Sequence, residues 1–86
     1  MIDESTQFAQ KRLIEEFVSA TEMFISEYYV EVLDEKLKLT QIFINKCLSW
    51  TIDEKEETLQ KLYDLEEALF DRIQDLKPDA ISQFNN

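Results

Sequence analysis

Not one glycine occurs in the 86 residues, and the only proline is Pro78. That absence constrains the fold more than any motif does. Two-residue hairpins need positive φ at their centres and phosphate-cradling loops need backbone without a Cβ, so both are disfavoured. What remains is an all-α chain, most simply a three- to four-helix antiparallel bundle with a long N-terminal helix. The length suits one domain with a small core. Hydrophobic residues make up 44%, with six Phe, three Tyr and one Trp, too many for a disordered acidic tail. Nine basic residues against nineteen acidic leave a net charge of -10, the wrong sign for a phosphate backbone or an anionic lipid surface. Neither nucleic acid nor membrane is an expected partner. A third reading, an acidic mimic of nucleic acid, rests on net charge alone.

The clearest element runs from Thr51 to Leu76. Thr51 and Glu54 have the S/T-x-x-E spacing of a capping box, in which the hydroxyl and the glutamate satisfy each other's free amides. The pattern predicts a helix over about 52–76. Leu62, Leu65, Leu69, Ile73 and Leu76 step by three and four along one side, and Leu59, Tyr63 and Phe70 widen that stripe. Glu57 and Lys61 form an i,i+4 pair in the favoured orientation. Leu69 is expected in the core. Lys77-Pro78 ends the helix, because the residue before proline is pushed out of the α region. A further short helix is expected over 79–84, where Ile81 and Phe84 would cover the end of the bundle.

The first helix is expected over about 6–31, with Asp3, Ser5 and Thr6 as alternative caps. Leu13, Phe17, Ala20 and Phe24 continue towards Tyr28 at helical spacing, with Ile14, Val18 and Ile25 alongside, a face wide enough for more than one partner. Tyr28 to Leu33 is rich in aromatic and β-branched residues, but one short strand has nothing to pair with, so it reads as the tail of this helix. A second helix is expected over about 34–49, opened by Asp34 and Glu35, where the dipole favours acids. Leu37, Thr40, Ile44, Cys47 and Leu48 form its inward stripe. Trp50 at the next junction reads as a plug between helices.

Chemistry-bearing patterns are lacking. Histidine is absent, which removes the usual general base and metal ligand, and the single Cys47 has no base and no disulfide partner. Cys47 reads as a buried filler. Asp53, Glu54, Glu56 and Glu57 lack the glycine turn and alternating ligands of a calcium loop. Glu15, Glu16, Glu66 and Glu67 lack the histidines of a dinuclear carboxylate site. No catalytic, metal or cofactor-binding residue is assigned, and an enzyme is not expected. A reducing, cytoplasmic setting is favoured by the lone cysteine and the absence of a signal-like or membrane-spanning run.

The order of elements resembles a known family. Lys11-Arg-Leu-Ile-Glu-Glu-Phe17 followed by Met23-Phe-Ile-Ser-Glu27 is similar to the start of the helical lid in the seventy-kilodalton heat-shock (DnaK-type) chaperones. The likeness resumes at Asp34-Glu35, which opens a second helix closing on Trp50, then at Glu54-Lys-Glu-Glu57 and at Asp64-Leu-Glu-Glu67. It spans about Phe8 to Ile73. The chain departs from the family in a shorter, glycine-free connection at 28–33, a shorter link after Trp50, Asp71 where a proline is common, and a Phe-Asn-Asn end in place of Glu-Glu-Val-Asp.

The resemblance implies the lid of a chaperone substrate-binding domain. Such a helical bundle closes over unfolded polypeptide held in a β-sandwich domain of the same parent chain and slows its release, with ATP hydrolysis in another domain. By position, the polar contacts that latch such a lid fall at Lys11 and Glu15. An isolated lid is also expected to self-associate as a homodimer through an exposed apolar side around Phe8, Tyr28 and Tyr29. A different class of reading is a free-standing acidic adaptor or dimerisation module whose wide-faced first helix pairs with a copy of itself. A lid predicts a first helix projecting beyond the bundle at its N-terminal end; an adaptor predicts helices packed along their full length, or a two-fold coiled coil without a dangling end.

Overall fold

A computed structural model of the chain describes residues 4–77. Those residues form three helices, α1 (Glu4–Glu22), α2 (Val30–Cys47) and α3 (Lys55–Leu76), with no strand among them. The short helix expected over 79–84 and the Asp3 cap lie outside the described residues. Successive helices run antiparallel, so α1 is parallel to α3. Its start lies beside the start of α3, where Gln7 Oε1 accepts from the Asp53 N–H at 3.2 Å. The peptide just after α1 lies beside the last turns of α3, where Arg72 Nε donates to the Glu27 carbonyl at 3.3 Å. The all-α bundle expected from the sequence is the fold observed.

Two apolar clusters hold it. Ile14, Ile44, Cys47, Ile52, Leu59 and Leu62 fill one end. Leu33, Leu37, Leu65, Leu69 and Ile73 fill the other. Residues of α2 and α3 dominate both, and α1 lies across them with Ile14 fully buried and Phe17 and Val18 packed on each. Aromatic rings fill the α1–α2 seam: Phe17 meets Phe43 at 4.6 Å between centroids, and Trp50 meets Phe43 edge-on at 5.9 Å. Trp50 therefore plugs the junction as its position suggests.

Several boundaries differ from the sequence reading, each for a tertiary reason. Helix α1 stops at Glu22, well before residue 31. Successive i→i+3 bonds from Phe24 to Thr21 and from Ile25 to Glu22 tighten the chain into a turn. The Glu27 carboxylate then accepts from the amides of Tyr28 and Tyr29 at 3.0 and 3.4 Å. A side chain thus satisfies the amides of the connection just before α2, where no glycine is available. Helix α2 begins at Val30 rather than Asp34, because only helical backbone there aligns Leu33, fully buried, with Leu37, Thr40, Ile44 and Cys47. Burial outweighs the strand preference of that stretch. At the front of α1, Ser5 and Thr6 lie inside the helix, not at its cap.

The capping box at Thr51 does not form. Thr51 is exposed and outside α3, and the helix is entered through Glu54, which has φ 56° and ψ 37° and no side-chain cap bond. The cause is Ile52: burying it against the first cluster draws the connection into a tight turn. Left-handed backbone costs a residue with a Cβ about 1–2 kcal/mol. In a chain without glycine a glutamate bears that cost. Glu54→Gly should therefore raise the stability by up to about 1 kcal/mol, partly offset by the looser unfolded chain. Urea denaturation checks this; a loss of stability would show that the Glu54 side chain contributes more than its backbone costs.

The α1 face is also corrected. Ile14, Phe17, Val18 and Thr21 point inward, whereas Leu13 is 51% exposed and Ala20 is exposed. In α3, Leu59, Leu62, Leu65, Leu69 and Ile73 are buried as expected, but Tyr63 and Phe70 are not part of that stripe. Lys61 meets Glu15 of α1 at 3.7 Å in place of Glu57.

Candidate functional site

The residues singled out from the sequence fall at two ends of the bundle. Lys11 and Glu15 lie one turn apart on α1 and face the first turns of α3. There they share a shallow recess with Glu54, Glu57, Thr58 and Lys61. Glu15 is drawn to Lys61 across this recess, a contact between exposed groups worth about 0–1 kcal/mol. So the two carried-over latch positions sit where α1 meets α3, on the edge of a charged recess, with Glu15 also bordering the outward side of α1.

Phe8 is exposed at the same end, beside Lys11, Arg12 and Glu15. Tyr28 and Tyr29 are exposed in the α1–α2 connection, and the Arg72 guanidinium lies 5.2 Å from the Tyr28 ring. The rise of an α-helix from Lys55 to Arg72 is about 27 Å. The bundle thus separates Phe8 from the two tyrosines, and the three do not make one self-association patch. The sequence grouped them because a first helix reaching residue 31 would carry all of them on one rod.

The outward side of α1 is the surface that remains. Arg12, Glu15, Glu16, Ser19, Ala20 and Met23 line an open trough along it, with Arg12 Nε donating to Glu16 at 2.9 Å. Phe8 and Met23 bracket the trough with exposed apolar side chains. Cys47, the single thiol, lies in the core; burial raises its pKa, and Lys46 and Lys55 pull it partly back. A thiol held neutral and covered is a packing group, not a nucleophile. Among the described residues no group of three or more Asp, Glu or Cys is placed to hold a metal ion, and no helix is long and apolar enough to cross a membrane.

The sequence reading passed over a second surface, the outer side of α3. Tyr63 and Phe70 are 38% and 51% exposed there. Their signal was present: at about 100° per residue, positions 63 and 70 lie roughly a quarter-turn from Leu62 and Leu69 and share a line of their own. No protein-family model, curated protein or solved structure matches the chain.

Proposed function

We propose that this chain works by contact and not by chemistry, as a helical cover of the kind that closes over a peptide-binding β-sandwich and slows the release of unfolded polypeptide. One observation carries the reading: the outer side of α1 lies uncovered from Phe8 to Met23 while its inner side is anchored to α3. Such a cover would work with its first helix backed by the bundle in place of the projecting arm expected of a lid, its polar and apolar front resting on the sandwich. The front offers Phe8 and Met23 as apolar contacts and the Arg12–Glu16 pair as polar ones. Contacts of this size, each worth about 1 kcal/mol or less, suit a cover that must open as well as close.

A second reading has its own support. Helix α1 is packed on α3 from Gln7 onward, without a long projecting arm among the described residues, which is the packing expected of a free-standing adaptor or dimerisation module. The same front of α1 would then meet a second copy.

One experiment separates the two. A fluorescent unfolded peptide is bound to the β-sandwich domain of a DnaK-type chaperone, and its release is timed with and without the chain. The cover reading expects slower release, with the effect reduced several-fold by Arg12→Glu combined with Phe8→Ala. Unchanged release together with a mass by light scattering of two chains, reverting to one in the same double variant, would replace it with the dimer.

A further inference from the structure

Besides its buried stripe, α3 carries a second one. Glu56, Gln60, Tyr63, Glu67, Phe70 and Gln74 step by four, three, four, three and four along its outer side, so they form one line roughly a third of a turn from the core. Tyr63 and Phe70 are its apolar points. At the α2 end the line opens into a groove of about 440 Å³ lined by Leu48, Lys55, Glu56, Leu59, Gln60 and Tyr63, with Leu48 47% exposed. This is a helix face with apolar seats at i and i+7 and, among the described residues, nothing covering them.

The charge on α3 around Tyr63 and Phe70 is acidic, and Lys55 is the cation at the Leu48 end. Glu56 and Glu67 lie on the line, and Asp64, Asp71 and Asp75 flank it, all exposed. None of the five is in an ion pair; the pairs among the described residues are Arg12–Glu16, Lys38–Asp34 and Lys61–Glu15. The cations of α3 itself are all turned to other work. Lys55 Nζ donates to the Leu48 carbonyl, Lys61 reaches Glu15, and Arg72 holds Glu27 and Tyr28. The line is thus an apolar stripe inside a field of unneutralised carboxylates.

We propose that the outer side of α3 docks a basic amphipathic helical segment of a partner protein, its apolar side chains seated on Leu48, Tyr63 and Phe70 and its lysines or arginines against Glu56, Glu67 and Asp71. Charge decides the occupant. A second copy of this chain would set carboxylates against carboxylates, and a nucleic acid or anionic lipid would be repelled in the same way. A neutral apolar segment would leave the carboxylate field without a counterpart. This inference does not depend on the cover reading, which uses the other side of the bundle.

The test uses a short fluorescent synthetic helix made only of leucine and lysine, with the leucines on one side, titrated against the whole chain by anisotropy at low salt. Saturable binding is expected, weakened about tenfold or more by Tyr63→Ala with Phe70→Ala, and likewise by Glu67→Lys with Asp71→Lys. Glu16→Lys on α1 should leave it unchanged. The four altered positions are exposed, and helicity by circular dichroism checks that each variant is folded. Three results would overturn the proposal: equal binding of the same helix with glutamate in place of lysine; binding indifferent to the loss of both rings, which is charge adherence alone; or a dimer of the chain that Phe70→Ala dissolves, which gives the face to a second copy.

Discussion

Leu69→Ala should destabilise the chain by about 2–5 kcal/mol in urea unfolding, because it deletes most of a fully buried side chain and leaves a cavity the neighbours cannot close. Leu69 lies in the cluster of Leu33, Leu37, Leu65 and Ile73, on which Phe17, Val18 and Ile25 also pack. Side chains from both later helices and from α1 and its following turn therefore lose contact at once. A small domain has about 5–15 kcal/mol in total, so a loss at the upper end would leave it largely unfolded. The companion substitution Phe70→Ala, one position along but on the outer side, should change stability by about 0.5 kcal/mol or less. A large loss at Phe70 with a small one at Leu69 would mean that α3 is rotated from the orientation described.

That pair also shows how far the sequence could be read. In α3 the leucines step by three and four in an unbroken row, so its core face was legible from Leu59 to Ile73, although Tyr63 and Phe70 of the neighbouring row were counted into it. Helix α2 was equally clear from Leu37 to Cys47, where Leu37, Thr40, Ile44 and Cys47 repeat at three and four, although Leu39 and Ile42 lie exposed on its outer side. Helix α1 was not, because Leu13 and Ile14 are neighbours of equal hydrophobicity and each starts a plausible stripe. Only the direction of α3 decides between them, and that is a tertiary fact. The turn at 23–29 was illegible for a related reason: it is held by the Glu27 carboxylate and by Arg72 of a distant helix, not marked by a local glycine or proline. Likewise the Thr51–Glu54 pattern is a sound start signal in isolation, and loses to the burial of Ile52. The surfaces were harder still. Lys11 and Glu15 were chosen by position in a resemblance, and their neighbours Glu54, Glu57 and Lys61 come from a segment about forty residues away in the chain.

The second large effect is expected at Ile14, and it is different in kind. Helix α1 has two buried residues, Ile14 and Thr21, against five in each of the other helices. Ile14 alone is a fully buried hydrophobic, reaching the cluster of Ile44, Cys47, Ile52, Leu59 and Leu62. Phe17 and Val18 are half-buried, and the Glu15–Lys61 contact is exposed and weak. The attachment of α1 thus rests disproportionately on one side chain. Ile14→Ala should cost about 2–5 kcal/mol, and its mark is uneven loss of protection. In native-state hydrogen exchange, amides of Phe8 to Thr21 should speed up more than those of Leu37 to Ile44 or Leu62 to Leu69. The α2–α3 pairing, which contributes to both clusters, should outlast the detachment of α1. Equal acceleration in all three helices would make the bundle one cooperative unit and remove the ranking. If the ranking holds, it bears on the cover reading directly. The helix whose outer side is proposed to rest on a partner would be the one most easily released, so docking and the packing of Ile14 would be coupled, and Ile14→Ala would weaken peptide retention without touching the docking face.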